Sequence, residues 1–208
     1  MEDEKKYSEK DRINIEKSIL RKNIIKQRDR IYPADINDFS TTICKCICAS
    51  TKFLRAKDIL LYYSFGSEVR TDYIFEKAIE KGKHVYYPKV NGDIMDFYKV
   101  NSKKDFTEGF KGIMEPFTTD VSYKGGEKEN LIIVPGSVFG RDGYRIGYGR
   151  GYYDKFLSRY TNLYKIGVCY NIQMVDECPR DENDVCMDEI VTEKAIYNDG
   201  SDNEVRWI

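Results

Sequence analysis

Apolar residues follow two rhythms along this chain. In one, short continuous apolar runs stand between turn-forming residues: Asp58-Ile59-Leu60-Leu61-Tyr62-Tyr63-Ser64, His84 to Lys89, Leu131 to Val134, and Leu163 to Cys169. Such runs predict strands buried on both faces. In the other, Ile13, Leu20, Ile24 and Ile31 recur at helical spacing and predict a helix from Ser8 to about Arg30, before the Ile31-Tyr32-Pro33 break. Ser8 with Asp11 has the form of a capping box at its start. Further helices are predicted over Ile36 to Cys48, over Tyr73 to Glu80 (capped by Thr71 or Asp72 and ended by Gly82), and over Tyr152 to Tyr160.

Strands alternating with helices at this spacing predict a parallel sheet with helices on its faces. Between Asn91 and Lys128 the pattern weakens. Asn91-Gly92 reads as a turn, Met95 to Lys99 as a strand, Gly112 to Pro116 as an irregular loop, and Gly125-Gly126-Glu127-Lys128 as a surface connector. Asp188 to Thr192 and Ala195 to Tyr197 read as two short late strands, with a loose tail after Asp199. The expectation is one α/β domain over residues 1–208.

Charge narrows the partners. Thirty-four basic residues face 35 acidic ones, for a net charge of −1. That balance argues against a broad nucleic-acid surface and leaves room for a local basic pocket. No apolar stretch nears the ~20 residues of a membrane span, and Met1-Glu2-Asp3-Glu4-Lys5-Lys6 has no signal-like apolar core. A soluble, cytoplasmic protein is expected, with no membrane partner. Its six cysteines include no C-x-x-C pair, and with His84 as the single histidine a zinc site is disfavoured. Reduced thiols and a histidine in a strand are the expectation.

The candidate chemistry lies just beyond the Leu131 to Val134 run. Pro135-Gly136 leads to Gly143-Tyr144-Arg145-Ile146-Gly147-Tyr148-Gly149-Arg150-Gly151-Tyr152-Tyr153-Asp154. Alternating glycines admit backbone conformations closed to other residues and bring amides close to a ligand. A loop feeding a helix N-terminus adds unpaired N–H groups and a positive partial charge, a place to hold phosphate. Arg145 and Arg150 add full charges. The spacing fits neither a P-loop nor a dinucleotide fingerprint, and no G-x-S-x-G motif occurs. Electrostatic work on phosphates remains, with cations and magnesium.

Other positions keep two readings. Asp154 would hold a metal or merely complement the helix N-terminus. Asp188 is its candidate partner, since magnesium takes one or two carboxylates and keeps waters. Glu68, at the end of a predicted strand, would accept hydrogen bonds from an amino-heterocycle stacked on Tyr63 or Phe65, or else sit solvated in a loop. Lys17 and Arg21, four apart, share a helix face and on spacing alone read as surface cations.

Together these segments resemble the 5-formyltetrahydrofolate cyclo-ligases. The long match is Val134-Pro135-Gly136 with Phe139, then Gly143 to Asp154 and Leu157. Shorter ones are Lys17-Ser18-Ile19-Leu20-Arg21, the Ser64 to Thr71 stretch with Glu68, Gly112-Ile113-Met114-Glu115-Pro116, and Asp184 to Thr192. The resemblance implies a three-layer α/β/α sandwich and an ATP-dependent ring closure of 5-formyltetrahydrofolate, or of its polyglutamylated forms, to 5,10-methenyltetrahydrofolate. ATP would be bound by Lys17, Arg21, Arg145, Ile146, Gly147, Tyr148, Gly149, Arg150, Gly151, Tyr152 and Tyr153. The folate would meet Tyr63, Glu68 and the loop from Tyr148 through Gly149, Arg150 and Gly151 to Tyr152. Arg145, Arg150 and Tyr152 would be catalytic, and Asp154 and Asp188 would hold Mg2+. A monomer is expected. Tyr148 stands where some members carry arginine, Arg150 where others have lysine or glycine, and Asn183 where many have histidine. The rival readings are a non-catalytic nucleotide- or folate-binding protein and another phosphate-metabolite enzyme on a similar sheet.

Overall fold

Strands form where the apolar runs are densest. The computed structural model describes residues 7–109, 112–126, 130–198 and 205–208. Its helices are α1 (Glu9–Arg28), α2 (Pro33–Ala49), α3 (Thr51–Arg55), α4 (Asp72–Glu80) and α5 (Tyr152–Arg159). Its strands are β1 (Asp58–Leu60), β2 (His84–Asn91), β3 (Ile94–Val100), β4 (Phe106–Glu108), β5 (Met114–Pro116), β6 (Asn130–Val134) and β7 (Val138–Gly140). They continue with β8 (Arg145–Ile146), β9 (Leu163–Val168), β10 (Met174–Val175), β11 (Glu189–Val191), β12 (Ala195–Asn198) and β13 (Val205–Trp207).

The main sheet has the order β13-β12-β11-β9-β6-β1-β2-β3. Its centre, β11-β9-β6-β1-β2, is parallel. Both edges are antiparallel: β3 on β2, and β12 and β13 beyond β11. Period-two alternation sends successive side chains to opposite faces. Ile59, Leu131 and Ile133 pack with α2 and α4 on one face, while Leu60, Ile132 and Val134 pack with Phe156 and Leu157 of α5 on the other. This is a three-layer α/β/α sandwich around a mainly parallel sheet, as expected. A smaller sheet, β10-β7-β8, stands apart. No helix among the described residues is long and apolar enough to cross a membrane.

Several elements differ from the expected ones. β1 stops at Leu60, although Leu61 and Tyr62 are also buried. Leu61 N still bonds Tyr86 O, but the chain then turns away and Tyr62 donates its hydroxyl to Val69 O. Pro33 opens α2 at its first turn, where its missing N–H costs nothing. Helix α3 was not anticipated; Ser50 caps it by accepting from Phe53 N. Met114–Pro116, expected to be irregular, pairs with Phe106–Glu108. Glu127 and Lys128 of the expected connector lie outside the described residues, as do 199–204 of the expected tail, whereas Val205–Trp207 adds the edge strand β13. His84 is the first residue of β2, with Nδ1 3.0 Å from Asp58 Oδ1.

Helix α1 holds the largest surprise. The Ser8–Asp11 capping box is present. Its buried residues, however, are Lys17, Ile24 and Arg28, while Ile13, Leu20 and Ile31 are only partly covered. Ile24 and Leu20 rest on Val138 and Ile146 of the small sheet. The helix therefore packs beside the site with a cationic seam facing inward.

Candidate active site

The site follows from topology. β1 crosses through α4 to β2, and its neighbour β6 crosses through α5 to β9 on the opposite face. Strand order thus reverses between β1 and β6, and a crevice opens outside their carboxyl ends. The end of β1 supplies the segment carrying Tyr63, Phe65 and Glu68. The end of β6 supplies the hairpin β7–β8 and then the glycine loop.

The loop reaches α5 through Gly149 (φ 95°) and Gly151 (φ 64°), left-handed conformations that a side chain would strain. Gly149 also lies under Arg21, where an added Cβ would stand 3.6 Å from the guanidinium. Gly151 is the N-cap of α5 and no side chain caps that helix, so its first-turn amides stay available for an anion.

Asp154 does not cap α5. Its Oδ1 accepts from Arg145 NH1 at 3.0 Å and from Val185 N at 3.2 Å. Arg145 is almost fully buried, also donates to Val185 O, and lies 6.0 Å from the Tyr153 ring. Arg145 Nε and the Tyr153 hydroxyl are buried without a hydrogen-bond partner among the described residues. Burial pushes the Tyr153 phenol far above its ordinary value, with Glu68 adding to the rise. Arg150, by contrast, is exposed at the loop's end and forms no ion pair among the described residues.

Three cations of α1 reach three different segments. Lys17 Nζ sits 3.1 Å from Asp181 Oδ2 and closer still to Asp184 Oδ2. Burial pulls its pKa down, but the hydrogen bonds and charges of Asp184 and Asp181 outweigh that and raise it. Arg21 Nε donates to Gly147 O at 2.6 Å. Arg28 Nε donates to Ser67 Oγ at 2.9 Å, and its NH1 and NH2 both donate to the Tyr148 hydroxyl at 3.3 Å.

Glu68 is buried at 7% exposure. Its Oε2 accepts from Phe65 N at 2.9 Å and its Oε1 from the Tyr148 hydroxyl at 2.5 Å. Burial holds its carboxyl above the ordinary value, against the pull of those two bonds and of Arg28 and Arg70. Tyr63 is half-exposed, edge-on to Phe106. Tyr152 donates its hydroxyl to Gly92 O at 3.1 Å, docking the β2–β3 turn onto the start of α5.

Thus Glu68 and Tyr148 meet, Arg145 meets Asp154, and Arg21 meets the loop. Asp188 is held by Lys165: its Oδ2 accepts from Lys165 N at 2.6 Å and from Lys165 Nζ at 2.7 Å. Among the described residues no cluster of three or more His, Cys, Asp or Glu side chains forms a ready-made metal cage.

The sequence profile of the 5-formyltetrahydrofolate cyclo-ligase family matches residues 13–193. The chain belongs to this family. A Schizosaccharomyces pombe protein named as a probable 5-formyltetrahydrofolate cyclo-ligase is 34% identical over 199 residues, covering 88% of this chain and 96% of that protein. The NMR structure of Aquifex aeolicus 5,10-methenyltetrahydrofolate synthetase superposes with a TM-score of 0.79 at 31% identity, covering 91% of this chain and 96% of its own. A Mycoplasma pneumoniae 5,10-methenyltetrahydrofolate synthetase gives a TM-score of 0.70 at 26% identity, with 86% and 99% covered. Of the segments that carried the resemblance, Ser64 to Thr71 meets the glycine loop through Glu68 and Tyr148, Arg21 meets it at Gly147, and Lys17 meets Asp184, whereas Gly112 to Pro116 lies beside β2 through Glu115 and Lys89. Sequence reasoning missed Arg28 and Asp181. Arg28 continues the Lys17–Arg21 face seven residues on, so the signal was the spacing, hidden by the habit of equating buried with apolar.

Proposed function

We propose that the protein uses ATP and magnesium to convert 5-formyltetrahydrofolate to 5,10-methenyltetrahydrofolate, releasing ADP and phosphate through a phosphorylated formyl intermediate. The reading is carried by one juxtaposition: a phosphate-suited glycine loop and a buried carboxylate at adjacent strand ends, tied by Tyr148. The formyl oxygen would take the γ-phosphoryl group of ATP, turning a poor leaving group into phosphate. The substrate's N10 would then attack the activated carbon, N10 would lose its proton, and phosphate would depart.

The chain's own residues supply binding and orientation. The loop from Ile146 through Gly147, Tyr148 and Gly149 to Gly151, with the first amides of α5 at Tyr152 and Tyr153, would cradle the phosphates. Arg150 adds an exposed charge to that end of the helix, Arg21 fixes the loop through Gly147 O, and Arg145 fixes its entrance through Asp154. Lys17 would reach ATP from its seat between Asp181 and Asp184. Tyr63 and Glu68 would hold the ring system, whose paired N–H donors suit an ionised carboxylate.

Magnesium fits the donors. Asp154 Oδ2 and Asp188 Oδ1 accept no hydrogen bond among the described residues, and the ion needs only one or two carboxylates beside phosphate and water. When bound it would neutralise charge developing on the transferred phosphoryl group. Asp154→Asn should sharply raise the magnesium requirement; an unchanged magnesium titration would leave Asp154 as Arg145's partner alone. We also read the protein as a cytoplasmic monomer.

The test is a near-ultraviolet absorbance assay with ATP, magnesium and 5-formyltetrahydrofolate. Growth of the methenyltetrahydrofolate band only when ATP is present is expected. A flat trace from folded protein that binds both ligands in calorimetry would replace this reading with a non-catalytic binder.

A further inference from the structure

Arg28 is a charge without an evident purpose in the phosphate chemistry. It is 4% exposed, and every hydrogen bond its guanidinium makes among the described residues goes to a neutral hydroxyl, Ser67 or Tyr148. Burying a guanidinium without a carboxylate in contact is costly. Two carboxylates lie one hydroxyl further on: Asp29, which accepts from Ser67 Oγ, and Glu68, which Arg28 reaches by donating to the Tyr148 oxygen while Tyr148 donates to Glu68 Oε1.

The relay leaves Glu68 with capacity. A carboxylate offers about four lone-pair sites. The Phe65 amide occupies one on Oε2 and Tyr148 one on Oε1, so each oxygen keeps one. Two parallel acceptors match two adjacent N–H donors of a planar ring. A direct Arg28–Glu68 fork would have occupied both oxygens; the intervening hydroxyl transmits the positive field without doing so.

We propose that Arg28, acting through the Tyr148 hydroxyl, is a positioning residue that holds Glu68 as a double hydrogen-bond acceptor for the N–H edge of the substrate ring. The inference rests on the proposed function, since it takes Glu68 to face that ring.

The groups around Glu68 come from several elements. Tyr148 and Tyr153 belong to the loop and α5, Arg28 to α1, Tyr62 and Arg70 to Glu68's own segment, and Tyr170 follows β9. Burial already favours the protonated acid, in which one oxygen becomes a donor and mispairs with a ring N–H. Removing Arg28 shifts the balance further toward that acid. The ionised form then appears only at higher pH, and substrate binding falls off earlier as pH is lowered.

Two measurements on full-length protein test this, with Arg28→Met, Arg28→Lys and Tyr148→Phe. The first is the titration of the Glu68 carboxyl by 13C NMR without ligand, assigned by its absence in Glu68→Gln. The second is the pH dependence of KM for 5-formyltetrahydrofolate and for ATP. Arg28→Met should move the Glu68 titration and the acid limb of the folate KM upward by about one pH unit. On that acid limb the folate KM should rise up to about tenfold, and the difference should shrink as pH rises, while the ATP KM stays within about twofold. Arg28→Lys should recover most of the shift, and Tyr148→Phe should move the limb the same way. An unmoved Glu68 titration in Arg28→Met would overturn the proposal, as would equal rises in both KM values with no pH shift, the mark of a packing role. If Arg28→Met does not fold, the lysine and Tyr148→Phe variants carry the same test. A wild-type protein that makes no methenyltetrahydrofolate would defeat the proposed function, and the ligand-free titration would still report whether Arg28 acts on Glu68.

Discussion

The glycine loop is held at two places by different chemistry. At its entrance Arg145 pairs directly with Asp154 at 3.0 Å, and the two charges cancel inside the chain. At its tip Tyr148 stands between Arg28 and Glu68, and a neutral hydroxyl keeps the charges apart. A direct pair fixes geometry firmly because losing either partner strands a buried charge. A relay fixes geometry more loosely and leaves acceptor positions for something else. On the proposed function, the Arg145–Asp154 pair would fix the loop's geometry, and the tip would be the part that answers to the folate.

The largest effect should come from breaking the direct pair. Arg145→Ala is expected to abolish most turnover and to lower unfolding stability by about 3–5 kcal/mol, since Asp154 loses the cationic partner it has among the described residues. Urea unfolding and the absorbance assay together check this. A variant as stable as wild type would mean that the entrance pair is not framework.

Lys17 comes next. Lys17→Ala leaves Asp181 and Asp184 facing each other with their ammonium gone, at a cost of about 2 kcal/mol near neutral pH. Asp181 is held below its ordinary value first by the Asn183 amide and then by Lys17. A depressed carboxyl contributes stability above its unfolded value and loses it as pH falls through the folded one. The difference between wild type and Lys17→Ala should therefore shrink below about pH 4. A constant difference across that range would show that Lys17 acts by packing alone.

These cations also show what the sequence made legible. β2, β6, β9, α2 and α5 were readable because their apolar runs coincide with what they bury. Glu68 and the glycine loop were readable because strand ends and glycine spacing place them. β1 was overread: Leu61 and Tyr62 are buried in a turn rather than a strand, and composition does not separate those cases. β4 and β5 were underread because a three-residue pairing is set by its partner, not by its own pattern. Arg28 was invisible for a stronger reason. A pattern reading assigns charged positions to solvent, whereas α1 turns Lys17 and Arg28 inward because the site supplies their acceptors.

A smaller effect should follow from Glu68→Gln. The amide keeps the shape but replaces one acceptor with a donor. Folate binding should weaken about 10- to 100-fold, with ATP binding changed by no more than about threefold. Equal losses for both ligands in calorimetry would detach Glu68 from the ring and return it to the loop framework.

Tyr148→Phe should give the smallest change, and it separates the two regions most cleanly. Tyr148 is 54% exposed, so removing its hydroxyl leaves packing nearly intact. Glu68 Oε1 loses a donor and Arg28 loses the acceptor its two terminal nitrogens share, at a cost of about 1–2 kcal/mol. The sign of the pH dependence is diagnostic. Burial already raises the Glu68 carboxyl, so the folded state holds that proton more tightly than the unfolded chain, and stability declines as pH rises through this range. Without the hydroxyl the carboxyl rises further and the decline extends to higher pH. The stability gap between wild type and Tyr148→Phe should thus widen from about pH 4 to pH 7, opposite to a loss of plain packing, which would be flat. Urea unfolding at those two pH values decides it. A flat gap would make the tip a second piece of framework and erase the contrast with Arg145 and Asp154; a widening one ties the hydroxyl to the charge on Glu68.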